Sequence, residues 1–428
     1  MGAALNDPNA NSLLRLPDEP AAWGSFYRRH LVDFVVPFWM RHGVDERHGG
    51  LLTCLDDAGG MVSTDKYMWS QTRALWTFSA LYRRIEARAE WLAVAHGLFD
   101  FCRRFGMDEN DCWRFRTTRE GEPLDGLLSI VTDCFAIYGM VEYARITGST
   151  EAVEIARRTF RSVHARLDSG RPFGTAPYPL PAGMKAHRYS MQCSLVFHEL
   201  GTLAEDPEIR DAAWRHTRQI LDHFVRPEHR AVVEYVNVDG TFSDTPPGRA
   251  MVPGHGIESM WFQLQIFRER GLTDEQGLVL RAMEWCLERG WDAEYGGLFL
   301  GLDIFGREPP FWKHATAKLW WPATEALCAT LVAYEADPDP RWIHHHRKIV
   351  EWSLRMFPVA EHGEWRQRLT REGAPMSEVV ALPVKDPFHL ARALIVAVEA
   401  AGRLAARAGT PFSSTVVAAE RKPAGSSG

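Results

Sequence analysis

The segment Gly50-Leu-Leu-Thr-Cys-Leu-Asp56-Asp-Ala-Gly59 joins a β-prone run to a turn in which glycine follows aspartate by three residues. The same arrangement returns, with identical spacing, in Gly297-Leu-Phe-Leu-Gly-Leu-Asp303-Ile-Phe-Gly306. This is the chemistry of a β-hairpin turn. Two hairpins of one pattern, far apart in the chain, indicate an internal repeat.

Three further copies support the repeat. The copy beginning at Glu364 is close to the first two, and looser copies begin at Cys112 and Ala231. The five copies begin at positions 50, 112, 231, 297 and 364, so they lie about sixty residues apart except for one double interval. A loop rich in proline and glycine, residues 171–183, stands where the sixth copy is expected.

The stretches between the hairpins, such as 65–84, 254–270 and 318–335, have the helical spacing of apolar residues. Sixty residues hold one hairpin and two helices of ordinary length. Six helix pairs most simply close into a ring, so the predicted fold is all-α, an (α/α)6 barrel with short β-hairpins in the inter-helix loops. We expect one catalytic domain over 19–404, with disordered ends at 1–18 and 405–428.

Composition narrows the class of protein. Hydrophobic residues make up 46% of the 428 and charged residues 24%, which is typical of globular proteins. The net charge of −6 argues against a nucleic-acid partner, and no window approaches about 18 uninterrupted apolar residues, so no membrane helix is expected. Seven scattered cysteines without CxxC spacing predict reduced thiols, and no signal peptide is evident, so we expect a cytoplasmic location.

The segment Pro253-Gly-His255-Gly-Ile-Glu258 contains the first candidate site residue. Pro-Gly interrupts the preceding chain and an apolar run follows, so His255 is predicted in the first turn of a helix, with Glu258 on the same face. A helix N-terminus disfavours the imidazolium and leaves a neutral base, and the carboxylate three residues on can fix its tautomer. A capping or core histidine is the alternative interpretation.

The segment KDPFH (385–389) contains the second candidate histidine, also at a predicted helix start. Asp386 is a good N-cap and a proline follows it, which puts His389 in the first turn of the last long helix and Arg392 one turn further. His255 and His389 lie about two repeat units apart, so their side chains can face one cavity from different directions. Two opposed neutral bases are what an epimerisation requires.

Two further helices carry candidate residues. Arg73 lies in an aromatic, largely buried segment, and it is either a fixed positive charge for a sugar oxygen or half of a structural ion pair. In Lys318-Leu-Trp320-Trp321-Pro-Ala-Thr-Glu325, core packing explains one tryptophan and a sugar-binding platform the other. No HExxH, P-loop or Rossmann glycine motif is present, so neither a metal nor a cofactor is predicted.

At these residues the sequence resembles the N-acylglucosamine 2-epimerase family, whose animal members are also called renin-binding proteins. The resemblance runs from about Phe26 to Ala400. The segments that carry it are PFWMRH…HGGLLTCLDDAGG (37–60), KYMWSQTRALW (66–76), GRAMVPGHGIESMWF (248–262), WDAEYGGLFLGLD (291–303), KLWWPATEA (318–326) and FHLAR (388–392).

The resemblance implies an (α/α)6 barrel and a cofactor-independent proton transfer through a cis-enediolate of the ring-opened sugar. It implies that His255 and His389 are the acid/base pair and that Arg73 lies near the sugar oxygens. Glu258 matches the carboxylate that follows the first histidine. The residues expected to contact the substrate are Trp320, Trp321, Lys318, Lys66, Arg392, Arg188 and Tyr189.

Two departures from the family pattern bear on the substrate. Members that epimerise cellobiose carry an Asn-Pro-x-Met-His segment where this chain has Arg188-Tyr189-Ser-Met-Gln-Cys193. They also have a tryptophan five residues before the last histidine, where this chain has Val384. A disaccharide is therefore not expected. The animal N-acyl enzymes resemble Val-Pro-Met-Met at the first place, which weakens the case for an acetamido sugar as well.

The sequence thus predicts a 2-epimerase of a free monosaccharide, either N-acetylglucosamine/N-acetylmannosamine or glucose/mannose. An aldose–ketose isomerase of the mannose–fructose type would use the same bases. A glycoside hydrolase or lyase would need a pair of acids in the cavity, and a non-catalytic binding protein would not need both histidines. The expected partners are a small-molecule sugar and a second copy of the chain in a homodimer.

Overall fold

The computed structural model describes residues 12–169, 173–272, 274–307 and 312–407. In these ranges twelve long helices follow one another. They are α1 (Trp23–Arg29, a π-helical stretch His30–Val35, and Val36–His42), α2 (Met68–Ala80, with a π-helical end Leu81–Ile85), α3 (Ala89–Phe105), α4 (Ile130–Thr147), α5 (Thr150–Asp168), α6 (His187–Leu203), α7 (Pro207–Gln219, with a π-helical end Ile220–Phe224), α8 (Pro253–Arg270), α9 (Gln276–Gly290), α10 (Trp320–Ala336), α11 (Pro340–Met356) and α12 (His389–Arg407).

The even-numbered helices form an inner ring. Each contacts the next one, and α12 returns to α2, so the ring closes, while each odd-numbered helix packs outside an inner one. Every residue of α4 is buried from Ile130 to Ala144, as expected of a helix enclosed on all sides. No helix among the described residues is nevertheless long and apolar enough to cross a membrane. The predicted (α/α)6 barrel is confirmed.

Short antiparallel strands link neighbouring helix pairs at the end of the barrel where the inner helices begin. Strands just before α2, α6, α8 and α10 each pair with a strand in the loop of the following unit. The strands are β1 (Lys66–Tyr67), β2 (Arg116–Thr117), β3 (Pro123–Asp125), β4 (Met184–Ala186), β5 (Val225–Arg226), β6 (Ala231–Val232), β7 (Tyr235–Asn237), β8 (Ala250–Met251), β9 (Leu302–Asp303), β10 (Lys318–Leu319) and β11 (Arg368–Leu369). The pairs are β1 with β2, β2 with β3, β4 with β7, β5 with β6, β8 with β9, and β10 with β11.

The predicted hairpin turns are present. The backbone N–H of Gly59 donates to the carbonyl of Asp56 at 3.2 Å, and Gly59 has φ +87°, which L side chains rarely adopt. The glycines of the other four copies donate in the same way and also have positive φ, namely Gly121, Gly240, Gly306 and Gly373. The described part of the sixth loop, 173–183, has only an isolated bridge at Thr175, in agreement with the missing copy.

A buried charge cluster fastens one hairpin to its neighbouring strand. Lys66 Nζ and Arg119 Nε both lie 2.9 Å from Oδ2 of Asp45, whose side chain is fully buried. Burial alone would raise the pKa of Asp45, but hydrogen bonds from Arg119 and Lys66 hold it well below its ordinary value. Because an unpaired carboxylate at this depth is costly, the three residues depend on one another.

The same cluster recurs four units later. Lys318 Nζ and Arg371 Nε both lie 2.9 Å from Oδ2 of Asp292, and the Lys318 side chain is fully buried. The turn sequence Thr-Arg-Glu-Gly, which both hairpins share, supplies the arginine each time. Neither Lys66 nor Lys318 is among the described residues that line the central cavity. The expectation that these lysines contact the substrate is corrected, since each has a structural carboxylate as its partner.

The described structure extends a few residues past both predicted domain limits. The indole of Trp23 donates to the carbonyl of Pro17 at 2.9 Å, so the segment before α1 is packed. At the other end α12 continues to Arg407. The limits of 19 and 404 predicted for the domain therefore stay predictions, and residues 1–11 and 408–428 lie outside the described residues.

Replacing Lys318 by methionine tests the structural role of the second cluster. We expect the free energy of unfolding in urea to fall by about 3–5 kcal/mol, because the buried Asp292 loses its one buried cationic partner and keeps only the partly exposed Arg371. Lys313→Met is the control, since Lys313 is 77% exposed and pairs at the surface with Glu378, where such pairs contribute less than about 1 kcal/mol. Equal stability of the two variants would contradict the assignment.

Candidate active site

The central cavity opens where the inner helices begin, and all six contribute side chains from their first two turns. Its volume is about 1200 Å³ including the open mouth, which is enough for a small-molecule ligand. Aromatic rings form much of the wall. The predicted site residues that line the cavity are His255, His389, Arg73, Glu258, Trp320, Trp321 and Arg188.

His255 lies in the first turn of α8, as predicted, and a glutamate from a neighbouring loop holds it. Its Nδ1 lies 2.9 Å from Oε2 of Glu234, and Oε1 of Glu234 lies 3.2 Å from Nη1 of Arg188. Burial alone would raise the pKa of Glu234, but His255 and Arg188 lower it to about 2. The ionised Glu234 therefore fixes the orientation of the His255 ring.

His389 has an equivalent support at the start of α12. Its Nδ1 lies 2.7 Å from Oε1 of Glu325 on α10, and Nη2 of Arg392 lies 2.7 Å from the same oxygen. The predicted N-cap is also present, since the backbone N–H of His389 donates to Oδ2 of Asp386 at 2.9 Å. The site thus contains two Arg–Glu–His triads, Arg188–Glu234–His255 and Arg392–Glu325–His389.

The surroundings of His389 determine which ring nitrogen carries the proton. A carboxylate faces Nδ1, so Nδ1 donates, whereas the donor Nη2 of Arg73 lies 3.2 Å from Nε2, so Nε2 accepts. Burial, together with the nearby charge of Arg73, lowers the pKa of His389 to about 3. The ring is therefore neutral at physiological pH. For His255, the carboxylate at Nδ1 likewise leaves Nε2 as the basic nitrogen.

Arg73 is enclosed by aromatic rings and faces the cavity. Its guanidinium carbon lies 3.9 Å from the ring centroid of Phe135 and 4.9 Å from that of Trp69, and Nη1 lies 3.2 Å from Oδ1 of Asp386. The two interpretations of Arg73 from the sequence are therefore compatible. It is half of a structural ion pair, and it is also a fixed positive charge beside His389, of the kind that stabilises an oxyanion.

Trp321 lies against both histidines. Its ring centroid is 5.1 Å from that of His255 and 5.8 Å from that of His389. Trp320 meets His389 nearly edge-on at 6.1 Å. The two imidazoles therefore reach one small region of the cavity, although α10 separates their helices.

Glu258 and Arg392 have different partners from those expected. Glu258 does not hold His255, because its carboxylate pairs with Arg392 across the barrel. Arg392 is buried and is not among the described residues of the cavity wall, so a direct contact with the substrate is not supported. Arg392 is part of the His389 triad through its hydrogen bond to Glu325, and Glu258 supports that triad by binding Arg392.

Arg188 and Tyr189 also differ from the expectation of direct substrate contact. The guanidinium of Arg188 is held by Glu234 and by the hydroxyl of Tyr235 at 3.2 Å, by the carbonyl of Tyr178 at 2.8 Å and by the hydroxyl of Tyr189 at 3.0 Å. Tyr189 is buried and is not among the described lining residues. Arg188 therefore positions Glu234, and Tyr189 positions Arg188.

The two glutamates at the centre of the triads were not predicted from the sequence. Glu325 is a single charge in the apolar helix of Trp-Pro-Ala-Thr-Glu-Ala-Leu-Cys, and Glu234 is a single charge in the β-prone run Ala-Val-Val-Glu-Tyr-Val. A carboxylate within an otherwise buried element is rarely unpaired. A single carboxylate in an apolar segment therefore indicates that the residue has a buried partner, but it does not identify that partner.

Glu258, Glu325 and His389 bring ligand atoms within 4.8 Å of one another, and all three residues are buried. Such a group has the chemistry of a metal-ligand set. Arg392, however, donates to both carboxylates. Its guanidinium balances the negative charge that a metal ion would otherwise neutralise, so the group is well described as an arginine-centred cluster.

Known proteins similar to this chain include sugar epimerases. The sequence profile of N-acylglucosamine 2-epimerase (GlcNAc 2-epimerase) matches residues 50–393. The N-acylglucosamine 2-epimerase of Mus musculus is 32% identical over 397 residues, which cover 88% of this chain and 91% of the mouse protein. The cellobiose 2-epimerase of Bacteroides fragilis is 31% identical over 386 residues, which cover 81% and 91% of the two chains.

A solved structure supports the fold. Cellobiose 2-epimerase from Bacillus thermoamylovorans B4167 matches with a TM-score of 0.77 at 19% identity, over 88% of this chain and 99% of that one. Fold and relatives together define a carbohydrate epimerase on an (α/α)6 barrel, an enzyme of the isomerase class. The chain belongs to the N-acylglucosamine 2-epimerase family.

Replacing Glu234 by glutamine tests the His255 triad. We expect kcat for epimerisation to fall by on the order of 10²-fold or more with little change in KM, because an amide no longer supports the charged imidazole during proton transfer. Glu269→Gln is the matched control, since Glu269 lies 2.8 Å from His198 in a comparable pair outside the described cavity wall. Equal activities in steady-state kinetics would contradict the role of Glu234.

The pKa of His389 predicts how stability depends on pH. It is about 3 in the folded protein and about 6.5 in an unfolded chain, so the unfolded state takes up the proton first on acidification. The stability that this neutral ring contributes is present above about pH 6.5 and is lost, at about 1.4 kcal/mol per pH unit, between there and about pH 3.

Urea unfolding of His389→Asn at about pH 5 and pH 6 measures this contribution. We expect the dependence of the unfolding free energy on pH to become shallower than in the wild type by about 1.4 kcal/mol per unit. His344→Asn removes an exposed histidine and serves as the control, with the wild-type slope expected. An unchanged slope in His389→Asn would mean that His389 titrates normally in the folded state.

Proposed function

We propose that this enzyme epimerises a ring-opened monosaccharide at carbon 2, with His255 and His389 as the two bases. One neutral imidazole takes the C2 proton through Nε2, and the C–H electron pair forms the C1–C2 double bond as O1 becomes anionic. The other histidine, as an imidazolium, gives its proton to the opposite face of C2, and the C1 carbonyl forms again, which leaves the first histidine as the imidazolium. Proton exchange with solvent after product release restores both histidines to their starting states. The reverse direction exchanges the roles.

The observation that carries this proposal is the convergence of two similarly supported imidazoles on Trp321. Each has a glutamate at Nδ1 and therefore offers Nε2 to the substrate. The glutamates also stabilise the imidazolium that each transfer produces. Two bases of one kind are what a reaction with equivalent forward and reverse steps needs.

Arg73 is the group proposed to stabilise the enediolate. Its guanidinium lies beside His389 and is enclosed by Phe135 and Trp69. A fixed charge in a water-poor site stabilises developing negative charge without reorganisation. The enediolate oxygens at carbons 1 and 2 would lie next to this side chain while C2 lies between the histidines.

The proposed substrate is a free monosaccharide, either N-acetylglucosamine/N-acetylmannosamine or glucose/mannose. The N-acylglucosamine enzymes among the relatives support the first pair. Arg188 and Tyr189, which replace the residues typical of those enzymes, weaken the case for the first pair. Val384 lines the cavity at the position where members that epimerise cellobiose have a tryptophan. The absence of that tryptophan favours a monosaccharide over a disaccharide.

A mannose–fructose type isomerase is the alternative on the same site, because the enediolate is common to both reactions and only the carbon that receives the proton differs. A glycoside hydrolase has less support. It needs a carboxylic acid that stays protonated, whereas Glu234, Glu258 and Asp386 all pair with arginine. A binding protein without catalysis would not need either triad.

Incubation with each sugar in heavy water, followed by NMR, tests the proposal. We expect both C2 epimers, with deuterium at C2. His255→Asn and His389→Asn should each lose interconversion by about 10²–10⁴-fold while still exchanging the C2 proton of one epimer, a different one for each variant. His344→Asn, which alters an exposed histidine, should keep wild-type rates.

The other results of this experiment separate the alternatives. Formation of a ketose without an epimeric aldose would establish the isomerase. Near-full interconversion by either histidine variant would overturn the two-base mechanism. Absence of turnover with N-acetylmannosamine, N-acetylglucosamine, mannose, glucose and fructose would overturn the proposed substrate class.

A further inference from the structure

Arg368 differs from the other charged residues of the cavity wall because no described residue of opposite charge binds it. It makes no hydrogen bond or ion pair with a residue in the described ranges, although it lines the cavity. The remaining charged groups of the wall are matched, Arg73 with Asp386, Arg188 and His255 with Glu234, and Glu258 with Arg392.

Backbone hydrogen bonds and strand pairing fix the position of Arg368. Arg368 on β11 lies opposite Leu319 of β10, and its carbonyl accepts a hydrogen bond from the N–H of Met376 at 3.1 Å. The side chain is half-buried, and burial lowers its pKa against the attraction of Asp57. The carboxylate of Asp57 lies 3.0 Å from Nζ of Lys385 and is already bound. A partly desolvated cation without a bound anion is a favourable site for an anionic ligand.

The position of Arg368 relative to the histidines indicates which part of a sugar it would meet. Strand β10 leads directly into α10, which begins with Trp320 and Trp321 beside the two imidazoles. Arg368 pairs with Leu319, the last residue of this strand, so its backbone lies on the strand side of the site and not on the inner helices that carry the imidazoles. If C1 and C2 lie at the histidines, the opposite end of the open-chain sugar extends toward Arg368.

We propose that Arg368 binds an anionic substituent on the end of the sugar remote from C2, so that the site also takes monosaccharides carrying a carboxylate or a phosphate there and binds them more tightly than neutral ones. This inference rests on the proposed function, because it assumes that the reacting carbon lies at the histidines. A guanidinium binds either anion through two parallel hydrogen bonds. The neighbouring Arg371 shows this use of an arginine fork in the same hairpin, on Asp292.

Tryptophan fluorescence measures binding without requiring turnover, since Trp320 and Trp321 line the cavity. Glucose, glucuronate and glucose 6-phosphate are titrated into the wild type. We expect at least one anionic sugar to bind about tenfold or more tightly than glucose, glucuronate if the site takes a carboxylate and glucose 6-phosphate if it takes a phosphate. In Arg368→Met the Kd for glucose divided by the Kd for that anionic sugar should fall to near one.

Arg366→Met is the matched control, because it removes the same charge two residues away and Arg366 is not among the described residues of the wall. The preference for the anion should persist in it. Equal Kd values for glucose and both anions in the wild type, or an anion preference retained by Arg368→Met, would overturn this inference. Turnover of the same sugars is measured separately, so a failure of the proposed epimerisation remains distinguishable from a failure of the anion site.

Discussion

Every charge buried in this barrel has to be matched, because an isolated ion in a low-dielectric interior costs several kcal/mol. Arg392, Glu258 and Glu325 are almost completely enclosed. They are tolerated because the guanidinium bridges both carboxylates and Glu325 also accepts from His389. The pairing leaves the imidazole one orientation and one tautomer. The orientation of His389 is therefore a consequence of the ion pairs between the buried residues that surround it.

The same constraint acts in the loops that surround the site. Asp45 and Asp292 each accept from one lysine and one arginine, and the arginine comes from a hairpin turn. The turn sequence Thr-Arg-Glu-Gly thus supplies both the glycine that reverses the chain and the cation that fastens the turn to a lead-in strand. Because β1 and β10 continue into inner helices, fixing these strands also fixes where α2 and α10 begin.

Features that depend on local sequence could be predicted, and features that depend on tertiary pairing could not. The repeat was visible because its turns require glycine at positive φ, and His389 was placed at a helix start because its cap, Asp386, is three residues away. Glu258 was assigned to His255 by the i, i+3 rule, yet its partner is Arg392, 134 residues away. Glu234 reaches His255 from another element, and nothing in the local sequence of either residue indicates that contact.

The two histidines are supported alike but are not equivalent. His389 is 6% exposed and lies beside Arg73, and burial and that charge hold the pKa of its ring at about 3. The side chain of His255 is 18% exposed, and its Nε2 has no arginine beside it among the described residues. Taken alone, the environment of His389 makes the ring a poor base.

In the proposed reaction, however, His389 takes up its proton in the same step that creates the enediolate. Removal of the C2 proton creates negative charge on the sugar oxygens at the moment when His389 becomes positive. With Arg73 next to both, that negative charge offsets the repulsion between the guanidinium and the new imidazolium. The arginine that suppresses protonation of the free enzyme therefore stabilises the state in which His389 is protonated and the enediolate is present. This is stronger binding of the transition state than of the ground state, and it requires Arg73 to be fixed in place, which is the physical role of its ion pair with Asp386.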